Sequence, residues 1–291
     1  MKLQNAGFSF WFPVVILSWV LNGCSPSAAT DESVFRMSIR NEPPTLDWAL
    51  ATDSISFTIL TNLMEGLTQY DSELNPKPAI AKKWKYSEDG QTITFFLRND
   101  VAWSDGKPVT AGDFEYAWKR LLAPETAAQY AYFLFDIKNA SQYNSGEITD
   151  PDKVGIKALA PDILQVRLKK PVVYFPSITT FMVTYPARKD VIHQHGDSWT
   201  EPENIVTNGP YILEEWQHEY KMVLKANPRH YEGKPSVDTI RIFVVQEPTT
   251  ALTLYETGEL DYVELPPVAI PHFKSSPEYR NTPQLRGYYY G

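Results

Sequence analysis

Apolar and polar residues alternate strictly in several short stretches of the chain, a pattern typical of strands that bury one face. In the stretch 92–98, every second residue from Ile93 to Leu97 is apolar, and a polar turn containing Gly90 precedes it. This arrangement predicts a β-hairpin whose first strand carries Trp84. The same period predicts further strands at 35–39, 67–70, 154–159, 163–168, 212–216, 221–226, 239–245 and 260–264.

A spacing of three or four residues between apolar positions predicts helices elsewhere. The clearest helix begins after Thr110, which stands three residues before Asp113 as in a capping box. Phe114 and Trp118 fall on its apolar stripe, so we expect Trp118 in the core together with Trp103 from the preceding turn. Similar patterns predict helices at 54–66, from 188 to about 195, and at 247–258.

Composition places the chain among soluble, loop-rich globular proteins. It has 291 residues, 43% hydrophobic and 21% charged, with 23 prolines and a net charge of −8. This length allows two domains. A nucleic-acid surface needs a basic patch that releases counterions from phosphates, and the sequence shows none, so we expect no nucleic-acid partner.

The N-terminal 23 residues have the features of a secretory signal peptide, with a lysine, no acidic residue and an apolar run at 8–21. The motif Leu-x-Gly-Cys at 21–24 resembles a bacterial lipobox, in which the cysteine becomes the lipidated first residue. An uncleaved anchor and a buried segment are the alternatives, although a membrane-spanning helix needs roughly 20 apolar residues. We expect lipid on Cys24 and no disulfide within the chain, because Cys24 is the only cysteine.

Five ordered motifs between 89 and 118 resemble the extracellular solute-binding proteins that serve oligopeptide and dipeptide ABC importers. They are Asp-Gly at 89–90, an alternating strand ending in Leu-Arg at 92–98, Trp-Ser-Asp-Gly at 103–106, Pro-Val-Thr-Ala at 108–111, and Asp-Phe-x-Tyr-x-Trp at 113–118. Further segments that resemble the family are Asn-Glu-Pro-x-x-Leu-Asp at 41–47, Glu-Gly-Leu at 65–67, Asn-Gly-Pro-Tyr at 208–211 and Thr-Gly-Glu-Leu-Asp at 257–261.

The resemblance implies an α/β fold, namely a type II periplasmic-binding-protein-like lobe with a mixed sheet and an inserted α+β domain. The implied division is a lipoprotein signal peptide at 1–23, the start of lobe I at 24–67, the insert at 68–187 and the remainder of lobe I at 188–291. Family members cross into a second large lobe at a tyrosine-rich strand such as 288–290. We therefore expect that lobe to be missing from this chain.

The resemblance also implies ligand contacts at Glu42, Tyr130, Glu264 and Tyr289. The glutamates are suited to a peptide's ammonium group, and the tyrosines offer rigid apolar surface with a hydroxyl. For Glu42 the alternative is a solvated loop carboxylate, and for Tyr130 it is packing in the core of the insert.

Catalysis and metal binding are not indicated by the sequence. The stretch 218–222 begins like a zinc-protease motif, but Met222 stands where the second histidine is needed. His193 and His195 lack a further ligand, and Ser198 lacks the strand and elbow that expose a hydrolase nucleophile. We therefore expect a protein that is not an enzyme and holds neither a metal nor a cofactor.

The function that the resemblance implies is capture of oligopeptides outside the inner membrane for delivery to the permease subunits of an ABC importer. The protein would lie in the periplasm or cell envelope, anchored to a membrane through Cys24. Two alternatives stay open. The chain could be a truncated, non-transporting relic or interaction domain, or a family member that binds a nickel chelate, a sugar or a haem, since fold does not fix the ligand.

Overall fold

Two four-stranded β-sheets dominate residues 32–281, the part of the chain that the computed structural model describes. The strands are β1 (Val34–Ile39), β2 (Thr68–Tyr70), β3 (Pro76–Pro78), β4 (Ala81–Tyr86), β5 (Thr92–Leu97), β6 (Ile156–Ala160), β7 (Ile163–Arg167), β8 (Tyr211–Gln217), β9 (Lys221–Ala226) and β10 (Thr239–Val244). The helices are α1 (Ser54–Leu63), α2 (Ala111–Leu122), α3 (Ala140–Asn144), α4 (Phe175–Ile178), α5 (Lys189–His195), α6 (Pro248–Glu256) and α7 (Ile270–Phe273). Among these residues no helix is both long and apolar enough to cross a membrane.

Sheet 1 has the strand order β1-β10-β9-β8. β1 and β10 run parallel, from Val34 opposite Thr239 to Ile39 opposite Val244, and the other neighbours are antiparallel. The sheet is therefore mixed, and the α/β fold class is confirmed.

Sheet 2 has the strand order β4-β5-β7-β6 and is antiparallel throughout. Its inner face carries Ile93, Phe95 and Leu97, all fully buried, and α2 covers this side. The hairpin that alternation predicted at 84–98 is confirmed by β4 and β5.

The start of α2 is fixed by its capping box. The backbone amide of Thr110 donates to the Asp113 carboxylate at 2.8 Å, and the Thr110 hydroxyl donates to it at 3.0 Å. Trp103 and Trp118 are fully buried, as predicted, and the Trp118 indole donates to the carbonyl of Thr184 at 2.7 Å. The cap therefore fixes where α2 begins, and the indole ties α2 to the 3-10 turn at 182–184.

The Asn-Gly-Pro-Tyr turn at 208–211 lies against the end of α1. The amide of Gly209 donates to the carbonyl of Leu63 at 2.9 Å. A Cβ atom at Gly209 would come within 2.6–2.8 Å of the backbone of Leu63 and Met64, so only glycine allows this approach.

Two sequence-based boundaries differ from the structure. α1 ends at Leu63 rather than at 66, because the Asn208 side chain accepts from the amide of Glu65 at 3.0 Å and holds that residue outside the helix. The strand predicted at 260–264 is wrong, since only Tyr262 bridges to β1 there. The carboxylate of Asp261 takes the β1 amide that a strand carbonyl would use, and prolines at 266 and 267 cannot continue a ladder.

The buried core runs without a break beneath both sheets. Sheet 2 falls inside the range 68–187 predicted for the insert, whereas sheet 1 is built from 34–39 and 211–244. The boundaries of that division stay a prediction. Residues 1–31 and 282–291, with the predicted signal peptide, Cys24 and Tyr289, lie outside the described residues.

Candidate functional site

Three chain segments leave sheet 1 at the edge where β1 ends. β10 is parallel to β1, and Tyr262 pairs in parallel with Met37, so the segment after 262 exits at the same edge. β9 is antiparallel to β10, which brings the β8–β9 turn at 218–220 to it as well. We call this region the carboxyl edge. Open α/β sheets bind ligands outside the carboxyl ends of their strands, so the carboxyl edge is the candidate site.

Glu42 lies at the carboxyl edge, three residues beyond β1. One of its carboxylate oxygens lies 2.5 Å from Nδ1 of His218, and the other accepts from the backbone amide of Glu219 at 2.9 Å. Glu219 takes a left-handed conformation, with φ of 61°, that turns this amide toward the carboxylate. The β8–β9 turn therefore holds the Glu42 side chain, for which a solvated loop carboxylate was the alternative in the sequence analysis.

His218 stands between two carboxylates. Its Nε2 lies 3.5 Å from a carboxylate oxygen of Glu201, and its ring centroid lies 4.5 Å from that of Trp216. The hydrogen bond to Glu42 raises the pKa of His218 above the usual histidine value. The carboxyl edge thus carries a histidine shared by two acids, and within residues 32–281 no cluster of three or more metal-ligating side chains is arranged to hold an ion.

The loop at 40–53 carries Glu42 and is fastened at its centre. Arg120 on α2 donates to both carboxylate oxygens of Asp47, at 2.9 and 2.5 Å. Beside this pair, Trp48 packs edge-on against Trp199 with ring centroids 4.8 Å apart. The loop is therefore anchored by buried contacts at 47–48, in addition to the β8–β9 turn that holds the Glu42 side chain.

Tyr130 contacts the same loop from the other end. Its hydroxyl donates to the carbonyl of Thr52 at 3.3 Å. Its ring packs against Phe57, Phe133 and Phe181, with centroid separations of 6.3, 5.7 and 5.7 Å. Tyr130 is thus part of an aromatic cluster that adjoins the core, and its predicted place at the rim of a ligand cleft stays a prediction.

Glu264 follows the bridge between Tyr262 and Met37 and is exposed. It lines an open cavity of about 300 Å³. The aromatic residues around this cavity are Tyr255, Tyr262, Phe273 and Tyr279. Among the described residues, no hydrogen bond, ion pair or ring contact joins Glu42, Tyr130 and Glu264 to one another. Glu42 lies in the loop after β1, Tyr130 bonds to that loop, and Glu264 follows the bridge to β1.

Sequence reasoning missed His218 as the partner of Glu42, and Glu201 as the second carboxylate beside His218. Both sit in polar turns that look solvated in the sequence. The signal that identifies His218 is strand pairing: β9 is antiparallel to β10, and β10 is parallel to β1, so residues 176 positions apart meet at one edge. The resulting site offers carboxylates, backbone groups and aromatic surface, which suits binding of a cationic or amine-bearing molecule.

Comparison with known proteins gives the family. A sequence profile of bacterial extracellular solute-binding proteins, family 5 (middle), matches residues 75–291. The chain is 34% identical to a probable deoxycholate-binding periplasmic protein of Escherichia coli, covering 89% of this chain and 49% of that protein. It is 32% identical to the dipeptide-binding protein DppE of Bacillus subtilis, covering 86% of this chain and 48% of that protein.

The fold agrees with this assignment. The substrate-binding domain of an oligopeptide ABC transporter from Bacillus anthracis superimposes with a TM-score of 0.81 at 38% identity, covering 85% of this chain and 48% of that one. The chain spans about half the length of the relatives it matches. Sequence profile, relatives and structure agree, and the chain belongs to the bacterial extracellular solute-binding proteins of family 5.

Proposed function

We propose that this chain is part of the substrate-binding component of an ABC importer, which captures oligopeptides outside the inner membrane and delivers them to the permease. Family membership supports this, together with relatives whose names describe binding of dipeptides and oligopeptides. The observation that carries the proposal is the position of Glu42, an acid held by the β8–β9 turn at the carboxyl edge.

Peptide capture needs no reactive group. An extended peptide is recognised through its backbone amides and carbonyls, while loose pockets accept varied side chains. In the proposal Glu42 and Glu264 attract the ammonium group, and Tyr130 and Tyr289 provide apolar walls with a hydroxyl. The contacts of Tyr130 with the Phe181 ring and with the carbonyl of Thr52 would fix its ring in place for this role.

A complete cleft of this type encloses its ligand between two lobes, and this chain spans about half of each relative. Each charge-assisted hydrogen bond contributes roughly 1.5 to 3 kcal/mol, and about 1.4 kcal/mol corresponds to a tenfold change in affinity. A single lobe that makes only part of these bonds is therefore expected to bind peptides more weakly than two lobes together, by about tenfold or more for each bond absent.

The test is a titration of the chain with trialanine, monitored by the NMR chemical shifts of the backbone amides. These shifts detect weak binding. We expect shifts at the carboxyl edge for trialanine, and none for N-acetyl-trialanine, which lacks the ammonium group. Glu42→Gln should weaken trialanine binding about tenfold or more. Equal shifts with both peptides would exclude ammonium recognition, and saturable binding of deoxycholate without peptide binding would assign the site to another solute.

The proposal includes lipid at Cys24, as the motif at 21–24 predicts. Metabolic labelling with a fatty acid should mark the wild-type protein and leave Cys24→Ala unmarked. Equal labelling of the two proteins would show that the anchor is not at this cysteine.

A further inference from the structure

The outward face of sheet 2 is a separate surface, on the side opposite the core. Trp84 lies opposite the fully buried Phe95 on the inner side, so the alternate residues Lys83 and Lys85 point outward. The register then assigns the rest of this face: Phe96, Thr94 and Thr92 on β5, Ile163, Gln165 and Arg167 on β7, and Lys157 on β6. We call it the outer face. Each of these residues is exposed or partly exposed.

Positive charge is concentrated on the outer face. Lys85, Thr94, Gln165 and Lys157 form one row across the four strands, with a lysine at each end. At about 4.8 Å per strand, this row is roughly 14 Å wide. Lys83 lies beside the row on β4, and Arg167 lies beyond it on β7.

Acidic residues are absent from these strands. The sequences of β4, β5, β6 and β7 contain no aspartate or glutamate, in a chain with 35 acidic and 27 basic residues. Within residues 32–281, Lys83, Lys85 and Arg167 form no ion pair, while Lys157 lies 3.7 Å from Glu115 at the edge next to α2. Acidic side chains lie around the rim, in the turns at 87–91 and 161–162 and beside Lys157, where Glu115 and Asp152 are its neighbours. The outer face thus carries three basic residues that form no ion pair within residues 32–281, on an acidic chain. Sequence analysis did not detect this surface because four separate strands build it.

We propose that the outer face of sheet 2 docks on an anionic lipid surface. A sheet presents its charges in a plane, which matches the plane of lipid headgroups. Basic residues within a Debye length of an anionic membrane are attracted to it. That length is about 10 Å at 0.1 M salt, so acidic residues on the far side of the domain oppose the contact only weakly.

The side chains favour lipid over a protein partner. Protein interfaces are depleted of lysine and enriched in aromatic residues and arginine, whereas this face has three lysines, one arginine and a single aromatic ring. The ammonium of Lys83 lies 5.1 Å from the centroid of that ring, Phe96, which therefore lies beneath a charge. Lysine is a flexible, hydrated point charge, suited to mobile headgroups rather than to one fixed partner.

Such a contact differs in kind from the anchor expected at Cys24. Membrane binding by one acyl chain is weak, and a basic patch is a common second contact. The contact is also independent of peptide recognition, because no residue of the outer face belongs to the carboxyl edge.

The test is sedimentation of the full chain with vesicles of phosphatidylcholine alone and with added phosphatidylglycerol. We expect binding that requires phosphatidylglycerol and weakens as salt is raised. Lys83→Glu/Lys85→Glu should reduce this component about tenfold or more. The matched control is Lys189→Glu/Lys274→Glu, which changes net charge equally at two exposed positions away from this face and should reduce binding much less. Binding through the N-terminal segment is common to all variants and cancels in the comparison.

An equal loss in the two double variants would show that only net charge matters and would overturn the proposal, as would wild-type binding that does not depend on phosphatidylglycerol. Retention on immobilised poly-glutamate without vesicle binding would assign the face to an acidic polypeptide and would also overturn it. If the glutamate variant unfolds, Lys83→Gln/Lys85→Gln removes the two charges without reversing them and should still lose about fivefold or more in binding.

Discussion

Arg120 and Asp47 form a two-pronged ion pair across 73 residues of sequence, with N–O distances of 2.9 and 2.5 Å. The Asp47 side chain is 7% exposed and that of Arg120 is 19% exposed, so water screens the pair poorly. The pair joins the Glu42 loop to α2, the longest helix among residues 32–281. The loop is therefore anchored to α2 at Asp47, by a contact that does not itself reach the carboxyl edge.

Removing Arg120 should destabilise the protein strongly, because it leaves a buried carboxylate without its partner. We expect Arg120→Ala to lower the free energy of unfolding by about 3 kcal/mol, measured by urea denaturation. Lys234→Ala, which breaks the more exposed pair with Asp238, should cost less than about 1 kcal/mol. Equal effects of the two substitutions would contradict a special role for the Asp47 pair.

Truncating Trp118 should strongly reduce the stability of the protein. It is fully buried, and its indole donates to the carbonyl of Thr184. Truncating such a side chain typically costs about 3 to 5 kcal/mol, so Trp118→Ala should lower the urea midpoint sharply. Tyr220→Ala, at a residue that is 56% exposed, serves as the control. An unchanged midpoint for Trp118→Ala would mean that α2 is packed differently.

Gly209 should tolerate no side chain. A Cβ atom there meets the backbone of Leu63 at 2.6 Å, and backbone cannot move aside as a flexible side chain can. We expect Gly209→Ala to cost roughly 2 kcal/mol or more in thermal unfolding. Gly112→Ala is the matched control, since its Cβ would meet only the Thr110 hydroxyl at 3.5 Å and alanine favours the helix. A neutral Gly209→Ala would show that α1 and the 208–211 turn are not in close contact.

Stability should fall as pH rises above the usual pKa of histidine because of His230. Its Nε2 lies 3.2 Å from a carboxylate oxygen of Glu65, and this hydrogen bond raises the pKa of His230. A pKa raised by folding gives a stabilisation that is complete below the unfolded value of about 6.5. That stabilisation is lost as pH rises through the higher folded value.

The measurement is the free energy of unfolding at about pH 6, 7 and 8. His230→Gln should flatten the decline. His218→Gln is the necessary comparison, because the pKa of His218 is raised by Glu42 and this histidine contributes a decline of the same sign from a more exposed position. A wild-type slope that survives both substitutions would place the titration elsewhere.

Local pattern was sufficient to predict the hairpin of β4 and β5 and the start of α2. In both cases the signal and the structure it specifies lie within about ten residues, as with Thr110 and Asp113. The strand prediction at 260–264 failed because it depends on a contact distant in sequence. Its alternation is real, but whether it forms a strand depends on hydrogen bonds to β1, and Asp261 takes the first of them with its side chain.

The candidate site was predicted less completely than the fold. Resemblance to a family pointed to Glu42 and Tyr130, and the structure adds what holds each of them. His218 was not predicted because alternation and helical spacing identify single strands and helices. They do not indicate which turn contacts which loop. The outer face of sheet 2 was missed for the same reason. β5 and β7 are neighbours in the sheet because Thr94 pairs with Gln165, and no local pattern in the sequence indicates that pairing.

The parallel pairing of β1 with β10 also sets an order for synthesis on the ribosome. Val34 pairs with Thr239, so β1 has no strand partner in sheet 1 until about two hundred further residues have been made. All strands of sheet 2 emerge within that interval, between 81 and 167. The entropic cost of closing so long a loop grows only with the logarithm of its length. The delay in pairing β1 is therefore set chiefly by the time needed to synthesise β10. During that time β1 exposes an unpaired edge, and a nascent chain of this protein would need protection there.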